Sequence, residues 1–375
     1  MSELVTEADR LHLRRALALA AGGRGRVSPN PLVGAVLVRD GSVIGEGFHA
    51  ELGGAHAEIA ALEDARARGE DPAGATLFVT LEPCAHHGRQ PPCVDALLAA
   101  GVARVVIASD DPSEKASGRG PGILRDGGVA VQVAEGEEAA AARLLNQPFR
   151  KLSRSGQPLV TLKSAVSLDG RVATASGDSR WISGQASRTL VHRWRAEADA
   201  VCVGIGTALA DDPLLTARHV AAARQPARVV FDSAARLPLT SRLLGSVGEA
   251  PVLVIAAPHA PADRIRGLKE AGAEVLVCDG APEAQVLTAL AELGRRDMSS
   301  VLLEGGPLLA GSFLDAGAVD ELRLFIAPIV IGGAGAPPPV MGAGAPRIDE
   351  ARPALSMEWE AVDGDLLLRA RLREW

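Results

Sequence analysis

The stretch HAEIAALEDARARGEDPAGATLFVTLEPCAHHGRQPPC, residues 56–93, decides the fold of the first half of the chain. Its first part, His56–Gly69, predicts a helix that ends at a glycine, and TLFVTL, Thr76–Leu81, predicts a strand. The same alternation continues outward, with a predicted strand at Val33–Val38, a helix at Cys93–Gly101 and a strand at Arg104–Ser109. Strands that alternate with helices indicate an α/β domain whose sheet is covered on both faces.

A second alternating series follows a polar, basic segment, RKLSRSGQP at Arg150–Pro158, which we expect to link two domains. Predicted strands recur from Leu159 onward, and they include DAVCVG, ARVVFD, PVLVIA, EVLVCD, SVLLEG and ELRLFIAP. The last residues alternate with period two on each side of Asp363–Gly364, which predicts a β-hairpin. A length of 375 residues also favours two domains. We place them at residues 1–150 and 151–375.

The composition excludes several classes of protein. A hydrophobic content of 47% excludes disorder along the whole length. A net charge of −7, with no Tyr, 6 Phe and 4 Trp, argues against a surface for nucleic acid or for an anionic membrane. The longest uncharged stretch, Leu324–Pro346, holds five Pro and five Gly, so it could not form a membrane-spanning helix. Four Cys form no disulfide scaffold in a chain of this length, and we expect a cytoplasmic protein without nucleic-acid or membrane partners.

Four side chains of residues 56–93 suggest metal chemistry. His56, Cys84 and Cys93 can supply three ligands of a tetrahedral Zn²⁺ and leave the fourth position to water, as in catalytic zinc sites. Such a metal makes hydroxide available near neutral pH, and Glu58 is the natural group to move a proton from water to a leaving amine. The plainer alternative is a chance His-Ala-Glu together with a packed pair of thiols. The order of the four residues, with a strand between the two pairs, favours a zinc deaminase.

The order H-x-E, strand, P-C…C resembles the cytidine-deaminase-like zinc deaminases, whose usual second half is P-C-x-x-C. This chain departs from that pattern with eight residues between Cys84 and Cys93. The longer form, with PNPLVGAVLV at Pro29–Val38 and GEGFHAELGGAHAE at Gly45–Glu58, is similar to the deaminase half of the bifunctional riboflavin-biosynthesis deaminase/reductases. The resemblance implies a three-layer domain, convergence of His56 with a catalytic Glu58 at the helix start, and substrate contacts from Asn30, His86 and Arg89.

The second half contains no G-x-G-x-x-G after a strand, so a Rossmann fingerprint is absent. Three segments instead resemble the reductase half of the same family: SLDGRVATASGDSRWISG at Ser167–Gly184, DAVCVGIGTALADDPLLTAR at Asp199–Arg218 and LLEGGPLLAGSFL at Leu302–Leu314. The small residues at Gly305–Ser312 predict a strand-to-helix junction whose N–H groups can receive a phosphate. The resemblance implies a dihydrofolate-reductase-like α/β domain, in which Arg218 suits a phosphate through its bidentate guanidinium.

The same resemblance implies residues for two ligands. It places NADPH at Ala165, Trp181, Thr207, Asp211, Ser233, Gly306, Pro307, Leu308, Leu309, Ala310, Gly311 and Ser312. It places the substrate at Ser179, Leu215, Arg218 and Glu304. Ordinary structural alternatives exist, with Trp181 in a core or Asp211 in a turn. Lys163 fits equally a charge near a ligand and a structural ion pair, while His49 and His87 receive no role.

Together these observations predict a bifunctional enzyme with Zn²⁺ and NADPH as cofactors and a phosphorylated pyrimidine as its small-molecule substrate. The first domain is expected to deaminate the pyrimidine by hydrolysis, and the second to reduce the ribosyl group to ribityl. The alternatives are a nucleic-acid-editing deaminase with an appended domain, a catalytically silent regulatory protein, and a chain with one active half. A homo-oligomer is compatible with the sequence.

Overall fold

The computed structural model describes residues 5–85, 91–113 and 118–375, and the chain divides into two compact units. The first unit contains the residues up to Ser155 together with Trp375, and the second contains Gly156–Glu374. Each unit has a sheet of its own, with five described strands in the first and nine in the second. Each unit therefore builds its own core.

The first unit has the three-layer α/β architecture that the alternation of elements predicted. Its helices are α1 (Glu7–Ala20), α2 (Ala57–Ala67), α3 (Cys93–Ala99), α4 (Arg119–Asp126), α5 (Glu137–Leu145) and α6 (Gln147–Ser155). Its strands are β1 (Gly34–Arg39), β2 (Ser42–Phe48), β3 (Thr76–Val79), β4 (Arg104–Ile107) and β5 (Ala130–Val133). They lie in the order β2-β1-β3-β4-β5, with β1 antiparallel to its neighbours and β3, β4 and β5 parallel.

Neighbouring residues of one strand contribute to two separate cores. Val36 of β1 packs with Leu13 of α1 on one face of the sheet. Leu37, the next residue, packs with Ala61 of α2 on the other face. Successive side chains of a strand point to opposite faces, so helices on both sides of the sheet are held by the same strands.

Glycine lets α2 approach β2 closely. A Cβ atom on Gly47 would lie 2.4 Å from the backbone nitrogen of Ala61 and 2.7 Å from the carbonyl oxygen of Ala57. Backbone atoms at these distances leave no room for a side chain. Gly47 therefore sets the position of α2, which directly follows His56 and has Glu58 in its first turn.

Residues 150–155, which we expected to be part of a linker, are helical instead and belong to α6. That expectation was wrong because it equated a polar, basic composition with exposure, whereas Arg150 and Lys151 are buried. The guanidinium of Arg150 donates to the carbonyl oxygen of Asp110 at 3.0 Å and to the carboxylate of Asp110 at 3.2 Å. Buried polar groups are tolerated when they find such partners.

The second unit is also α/β, as expected, and has a mixed sheet. Its helices are α7 (Gln185–Glu197), α8 (Ile205–Asp211), α9 (Arg242–Gly245), α10 (Ala262–Glu270), α11 (Pro282–Arg295) and α12 (Pro307–Asp315). Its strands are β6 (Leu159–Val166), β7 (Ala200–Gly204), β8 (Ala227–Phe231), β9 (Val252–Ala256), β10 (Glu274–Val277), β11 (Ser300–Leu303), β12 (Glu321–Ile326), β13 (Ser356–Val362) and β14 (Asp365–Arg371). The order is β10-β9-β8-β7-β11-β6-β12-β14-β13, parallel as far as β12 and antiparallel beyond it.

The hairpin predicted at Asp363–Gly364 is confirmed. Strands β13 and β14 pair antiparallel with Val362 opposite Asp365. The two turn residues have φ values of 47° and 93°, and positive φ at both positions is typical of the two-residue type I′ turn. Among the described residues, no helix is both long enough and apolar enough to cross a membrane.

Candidate active sites

Three possible metal ligands converge in the first unit. The Nδ1 atom of His56 lies 3.2 Å from the Sγ atom of Cys93 and 3.5 Å from the Sγ atom of Cys84. The possible ligand atoms of the three residues all lie within 4.8 Å of one another. His56 directly precedes α2, Cys84 follows β3 and Cys93 begins α3. One imidazole and two thiols fit Zn²⁺, which prefers nitrogen and sulfur ligands in tetrahedral geometry.

The pKa values of the two thiols are shifted in opposite directions. Hydrogen bonds from the Cys93 thiol and the His56 ring stabilise the Cys84 thiolate and lower the pKa of Cys84 to about 4. The backbone N–H of Cys93 also donates to the Cys84 sulfur at 3.3 Å. The pKa of Cys93 is raised, chiefly because its thiol donates to Cys84. A divalent cation would favour the thiolate of both residues, since the thiolate is the form that binds metal.

Glu58 lies at the same cluster and is only 3% exposed. Burial, followed by the negative charge of Cys84, raises the pKa of Glu58 to about 7. Glu58 belongs to the first turn of α2, whereas His56 precedes that helix with extended backbone angles. This change of backbone conformation lets two residues that are two apart in sequence reach one site. A carboxyl group with a pKa near neutral pH can both accept and donate a proton.

Asn30, an expected substrate contact, is oriented by a histidine to which the sequence assigned no role. The Nδ2 atom of Asn30 lies 3.1 Å from Nε2 of His49, and Nδ1 of His49 lies 2.9 Å from the carbonyl oxygen of Ala55. Burial lowers the pKa of His49, so its ring is neutral at pH 7 and has one N–H. That N–H donates to Ala55, and Nε2 accepts from the Asn30 amide. The rings of His49 and His56 are 5.4 Å apart, which places Asn30 beside the cluster.

The two other expected substrate contacts of this unit, His86 and Arg89, lie outside the described residues. The sequence does not reveal the role of His49, because a single histidine after a strand forms no recognisable motif. Its position directly after β2 and seven residues before His56 is the one hint that the sequence offers.

A buried group of charged side chains lies in the second unit. The guanidinium of Arg195 on α7 forms a bidentate ion pair with Glu304, which follows β11, at N–O distances of 2.6 and 2.8 Å. Burial opposes ionisation of Glu304, but the charge and hydrogen bonds of Arg195, together with smaller contributions from Lys163 and His192, lower the pKa of Glu304. Lys163 on β6 also lies near this carboxylate, and burial lowers the pKa of Lys163. The negative charges of Glu304 and Asp211 favour the protonated form of Lys163 against this burial, while the positive charge of Arg195 opposes it.

Arg195 is a site residue that the sequence analysis missed. A signal was present, because Val191 and Trp194 mark the buried face of α7 and Arg195 lies four residues after Val191. Residues at this spacing share one face of a helix. A charged residue on the apolar face of a helix needs a buried partner, and the structure supplies Glu304.

The loop after α8 contains two expected substrate contacts, Leu215 and Arg218. The side chain of Leu215 is buried in the apolar core, so its backbone is the part that can face a ligand. Arg218 has no carboxylate ion-pair partner among the described residues, and its Nη1 donates to Oγ1 of Thr216 at 3.0 Å. Burial, followed by the charges of Arg195 and Arg242, lowers the pKa of Arg218. An arginine that is kept beside other cations is suited to bind an anion.

Four expected NADPH contacts follow adjacent strands of the second sheet. Ser233 follows β8, Thr207 follows β7, Gly306 follows β11 and Ala165 lies near the end of β6. These strands are neighbours in the order β8-β7-β11-β6 and all run parallel. Ligands of α/β sheets bind at the carboxyl ends of such strands. A Cβ atom on Gly306 would lie 3.2 Å from Oγ1 of Thr207, so these two residues adjoin.

The expected contacts on α12 differ in what they can offer a ligand. Pro307 occupies the first helical position, as the sequence predicted, and Leu308 is 70% exposed. Ala310 is fully buried, and Leu309 packs against the same core. A Cβ atom on Gly311 would lie 1.6 Å from the carbonyl oxygen of Met341, so the absence of a side chain there serves packing. The hydroxyl of Ser312 donates a hydrogen bond to the carbonyl oxygen of Leu308 at 3.2 Å. The exposed start of α12 is therefore the part that is open to a cofactor.

The remaining expected contacts are not joined to one another by described contacts. Trp181 is 69% exposed, so it is not a core residue, and the Arg188 guanidinium lies 4.7 Å from its ring. Asp211 ends α8, and its carboxylate accepts from Arg180 at 3.1 Å. Ser233 donates to Gln285 at 3.4 Å, and Ser179 lies partly buried in the segment before α7.

Comparison with known proteins gives the same two-part organisation. The model of the cytidine and deoxycytidylate deaminase zinc-binding region matches residues 6–109, and that of the RibD C-terminal domain matches residues 158–368. Riboflavin biosynthesis protein RibD of Aquifex aeolicus is 42% identical over 329 residues, which is 88% of this chain and 89% of that protein. The solved structure of Acinetobacter baumannii RibD is 37% identical, with a TM-score of 0.85, and the match covers 97% of this chain and 99% of that one.

A second solved structure, from Thermotoga maritima, is named a diaminohydroxyphosphoribosylaminopyrimidine deaminase/5-amino-6-(5-phosphoribosylamino)uracil reductase. It is 36% identical, with a TM-score of 0.84, and the match covers 97% of this chain and 98% of that one. The agreement extends through both units, which excludes a deaminase with an unrelated appended domain. It also confirms the cytidine-deaminase-like and dihydrofolate-reductase-like folds implied by the sequence motifs. The chain therefore belongs to the RibD family of bifunctional enzymes of riboflavin biosynthesis, which join a zinc-dependent deaminase to an NADPH-dependent reductase.

Proposed function

We propose that the chain catalyses two successive reactions on one phosphorylated pyrimidine. In the first, 2,5-diamino-6-ribosylamino-4(3H)-pyrimidinone 5′-phosphate exchanges its 2-amino group for oxygen from water and releases ammonia. In the second, the ribosyl group is reduced, giving 5-amino-6-ribitylamino-2,4(1H,3H)-pyrimidinedione 5′-phosphate. The name of the Thermotoga maritima relative supports this substrate. The observation that carries the proposal is the convergence of His56, Cys84 and Cys93 beside the buried Glu58.

In the first unit, His56, Cys84 and Cys93 would hold the zinc. When bound, zinc supplies water activation at neutral pH. Glu58 accepts a proton from the attacking water at a carboxylate oxygen and then delivers it to the leaving amine. A pKa of about 7 lets Glu58 perform both transfers.

Asn30 orients the pyrimidine in the same site. One N–H of the Asn30 amide donates to His49. The Oδ1 atom and the second N–H remain for the edge of the pyrimidine ring. The neutral state of His49 keeps this orientation fixed, because a protonated ring could not accept the hydrogen bond. We also propose, from the family resemblance, that His86 and Arg89 bind the sugar phosphate.

In the second unit, the carboxyl ends of β8, β7, β11 and β6 bind the cofactor. When bound, NADPH supplies the hydride that is transferred to C1′ of the ribosyl group. Arg218 binds the substrate phosphate, and Glu304, held ionised by Arg195, accepts hydrogen bonds from substrate hydroxyls. Reduction also needs a proton, and Lys163 is suited to donate it because burial lowers its pKa.

We further propose a cytoplasmic location. All four cysteines are free thiols, and two of them form the metal cluster. A reducing compartment keeps such thiols available as ligands.

The two reactions can be tested separately. The purified chain should release ammonia from the diaminopyrimidinone phosphate without NADPH, and it should oxidise NADPH when given the deaminated product. Zinc analysis should give about one ion per chain, the number that one His-Cys-Cys site holds. Absence of ammonia release by the zinc-loaded protein would refute the first half of the proposal, and absence of NADPH oxidation would refute the second.

A further inference from the structure

The segment between α8 and β8, residues 212–226, contains several backbone conformations that need support. Asp212, Leu215 and His219 have φ values of 40°, 58° and 61°. This is the left-handed region, which residues other than glycine rarely adopt. Such conformations persist only where the surrounding structure holds them. The contacts that hold this segment therefore matter for Arg218, which lies between Leu215 and His219.

Two side chains, those of Gln225 and His192, form hydrogen bonds with the backbone of Ala217 and Arg218. The side-chain amide of Gln225 forms two hydrogen bonds with the Ala217 backbone. Its Oε1 accepts from the Ala217 N–H at 2.7 Å, and its Nε2 donates to the Ala217 carbonyl at 3.0 Å. On α7, Nδ1 of His192 accepts from the backbone N–H of Arg218 at 3.2 Å. Two consecutive peptide groups are thus held by side chains to which neither the motifs nor the proposed chemistry assigned a role.

Burial and the neighbouring charges keep the ring of His192 in the neutral form, which can accept a hydrogen bond. Burial, followed by the positive charges of Arg195 and Arg218, lowers the pKa of His192 to about 4, against a hydrogen bond to the Thr216 backbone and the charge of Glu304. The ring of His219 lies edge-on at 6.0 Å. At pH 7 the His192 ring is therefore neutral, and one of its nitrogens is an acceptor. Burial first, and then the same cations that would attract a phosphate, keep this ring neutral.

We propose that His192 and Gln225 are positioning residues of the reductase site, which hold the backbone of residues 216–218 so that Arg218 presents its guanidinium to the substrate phosphate. Neither residue touches the substrate, and both act through Arg218. This inference rests on the proposed reductase function, because it requires Arg218 to bind the phosphate. The proposal therefore predicts a change in substrate binding, which depends on Arg218, and no change in NADPH binding or hydride transfer, which do not.

The central experiment compares His192→Leu with His192→Asn in the full chain. Leucine removes the acceptor, whereas the Oδ1 atom of asparagine can take the position of Nδ1. We expect His192→Leu to raise the KM for the deaminated phosphate substrate about tenfold, the order expected when a backbone N–H loses its partner, with little change in kcat or in NADPH affinity. His192→Asn should restore most of the loss. Arg193→Leu is the matched control, because Arg193 is the next residue of α7 and its side chain is exposed.

A substrate without the phosphate shows whether the effect passes through Arg218. For the corresponding riboside, KM should be high in the unaltered protein and should not rise further in His192→Leu. Gln225→Ala is an independent variant, and it should raise the KM for the phosphate substrate in the same way. A KM for the phosphate substrate that is unchanged in both variants would overturn the proposal, as would an equal increase for the riboside.

Hydrogen exchange gives a readout that does not depend on turnover. In the full chain without substrate, the backbone amides of residues 217 and 218 should exchange faster in Gln225→Ala and His192→Leu, while the rest of α7 keeps its protection. Unchanged exchange at these amides would overturn the positioning role. If the unaltered protein failed to oxidise NADPH, the proposed function would fail, and the exchange result would still decide whether His192 and Gln225 hold the loop.

Discussion

At the scale of single residues, the metal assignment is tested by Cys84→Ser. Serine keeps the size of the side chain but is a poor zinc ligand, so zinc and ammonia release should both be lost. The first unit should also unfold at a lower temperature, because metal binding couples to folding. Zinc analysis and an ammonia assay measure the effect. Cys278→Ser is the control, since Cys278 is a buried thiol of the second unit, and it should retain full zinc. Stoichiometric zinc in Cys84→Ser would exclude Cys84 as a ligand.

Glu58→Gln separates proton transfer from metal binding. Glutamine has nearly the same shape but cannot accept a proton, so the deamination rate should fall by about 10²–10⁴, the usual share of general acid–base catalysis. Zinc content should stay at the level of the unaltered protein. Glu63→Gln, on the exposed side of the same helix, should keep its activity. Loss of zinc in Glu58→Gln would show that Glu58 has a structural or coordinating role.

Arg195→Met tests the buried ion pair of the second unit. Methionine preserves length and packing but leaves Glu304 as a buried carboxyl without its partner, which should raise the pKa of Glu304 and favour its neutral form. We expect NADPH oxidation with the deaminated substrate to fall by about tenfold or more, as when one partner of a buried charged pair is removed. Ammonia release should be unaffected. Arg193→Met provides the control, and equal NADPH oxidation by the two variants would exclude a role for Arg195 in the site.

At the scale of elements, the close contact of β2 with α2 determines where His56 and Glu58 lie. Gly47→Val would place a branched side chain against the backbone of Ala57 and Ala61, so α2 must move away from the sheet. We expect a loss of zinc affinity and deamination in a protein that still oxidises NADPH. Gly122→Ala is the control within the same unit, because a Cβ atom there meets nothing within 4 Å. Normal zinc binding by Gly47→Val would show that α2 tolerates displacement.

At the scale of the whole molecule, we expect each unit to fold and to act alone. The cut belongs between Ser155 and Gly156, because a cut at Arg150 would remove the last turn of α6 with the buried Lys151. Residues 1–155 should bind zinc and release ammonia, and residues 156–374, without the Trp375 that belongs to the first unit, should oxidise NADPH with the deaminated substrate. Circular dichroism must first show that each part is folded. A folded second part that recovers NADPH oxidation only when the first part is added would contradict this independence.

Local patterns were enough to predict the class of fold, and the order of four residues along the chain was enough to predict the metal cluster. The alternation of helices and strands and the turn residues Asp363–Gly364 depend on neighbours in sequence. Backbone preferences act over such short distances, so these features can be recognised without the structure. The set of His56, Glu58 and the two cysteines, in contrast, was identified from its order along the chain and from the family resemblance. The convergence of His56 and Glu58 was implied by the family resemblance, and it depends on the change of backbone conformation at the start of α2.

Contacts between distant residues could not be predicted from the sequence, because they depend on which groups are buried together. Arg195 and Glu304 are separated by 109 residues, and neither has a local feature that names the other. The same holds for His49, whose neutral ring orients Asn30, and for His192, whose hydrogen bond to Arg218 exists only once α7 lies beside the loop. The composition of the basic segment at Arg150 was also misleading, because it does not show that the guanidinium of Arg150 is buried and bonded to Asp110. A buried polar group has no water to bond to and must find a partner in the protein. Which partner it finds is decided by the packing of distant elements and not by residue type.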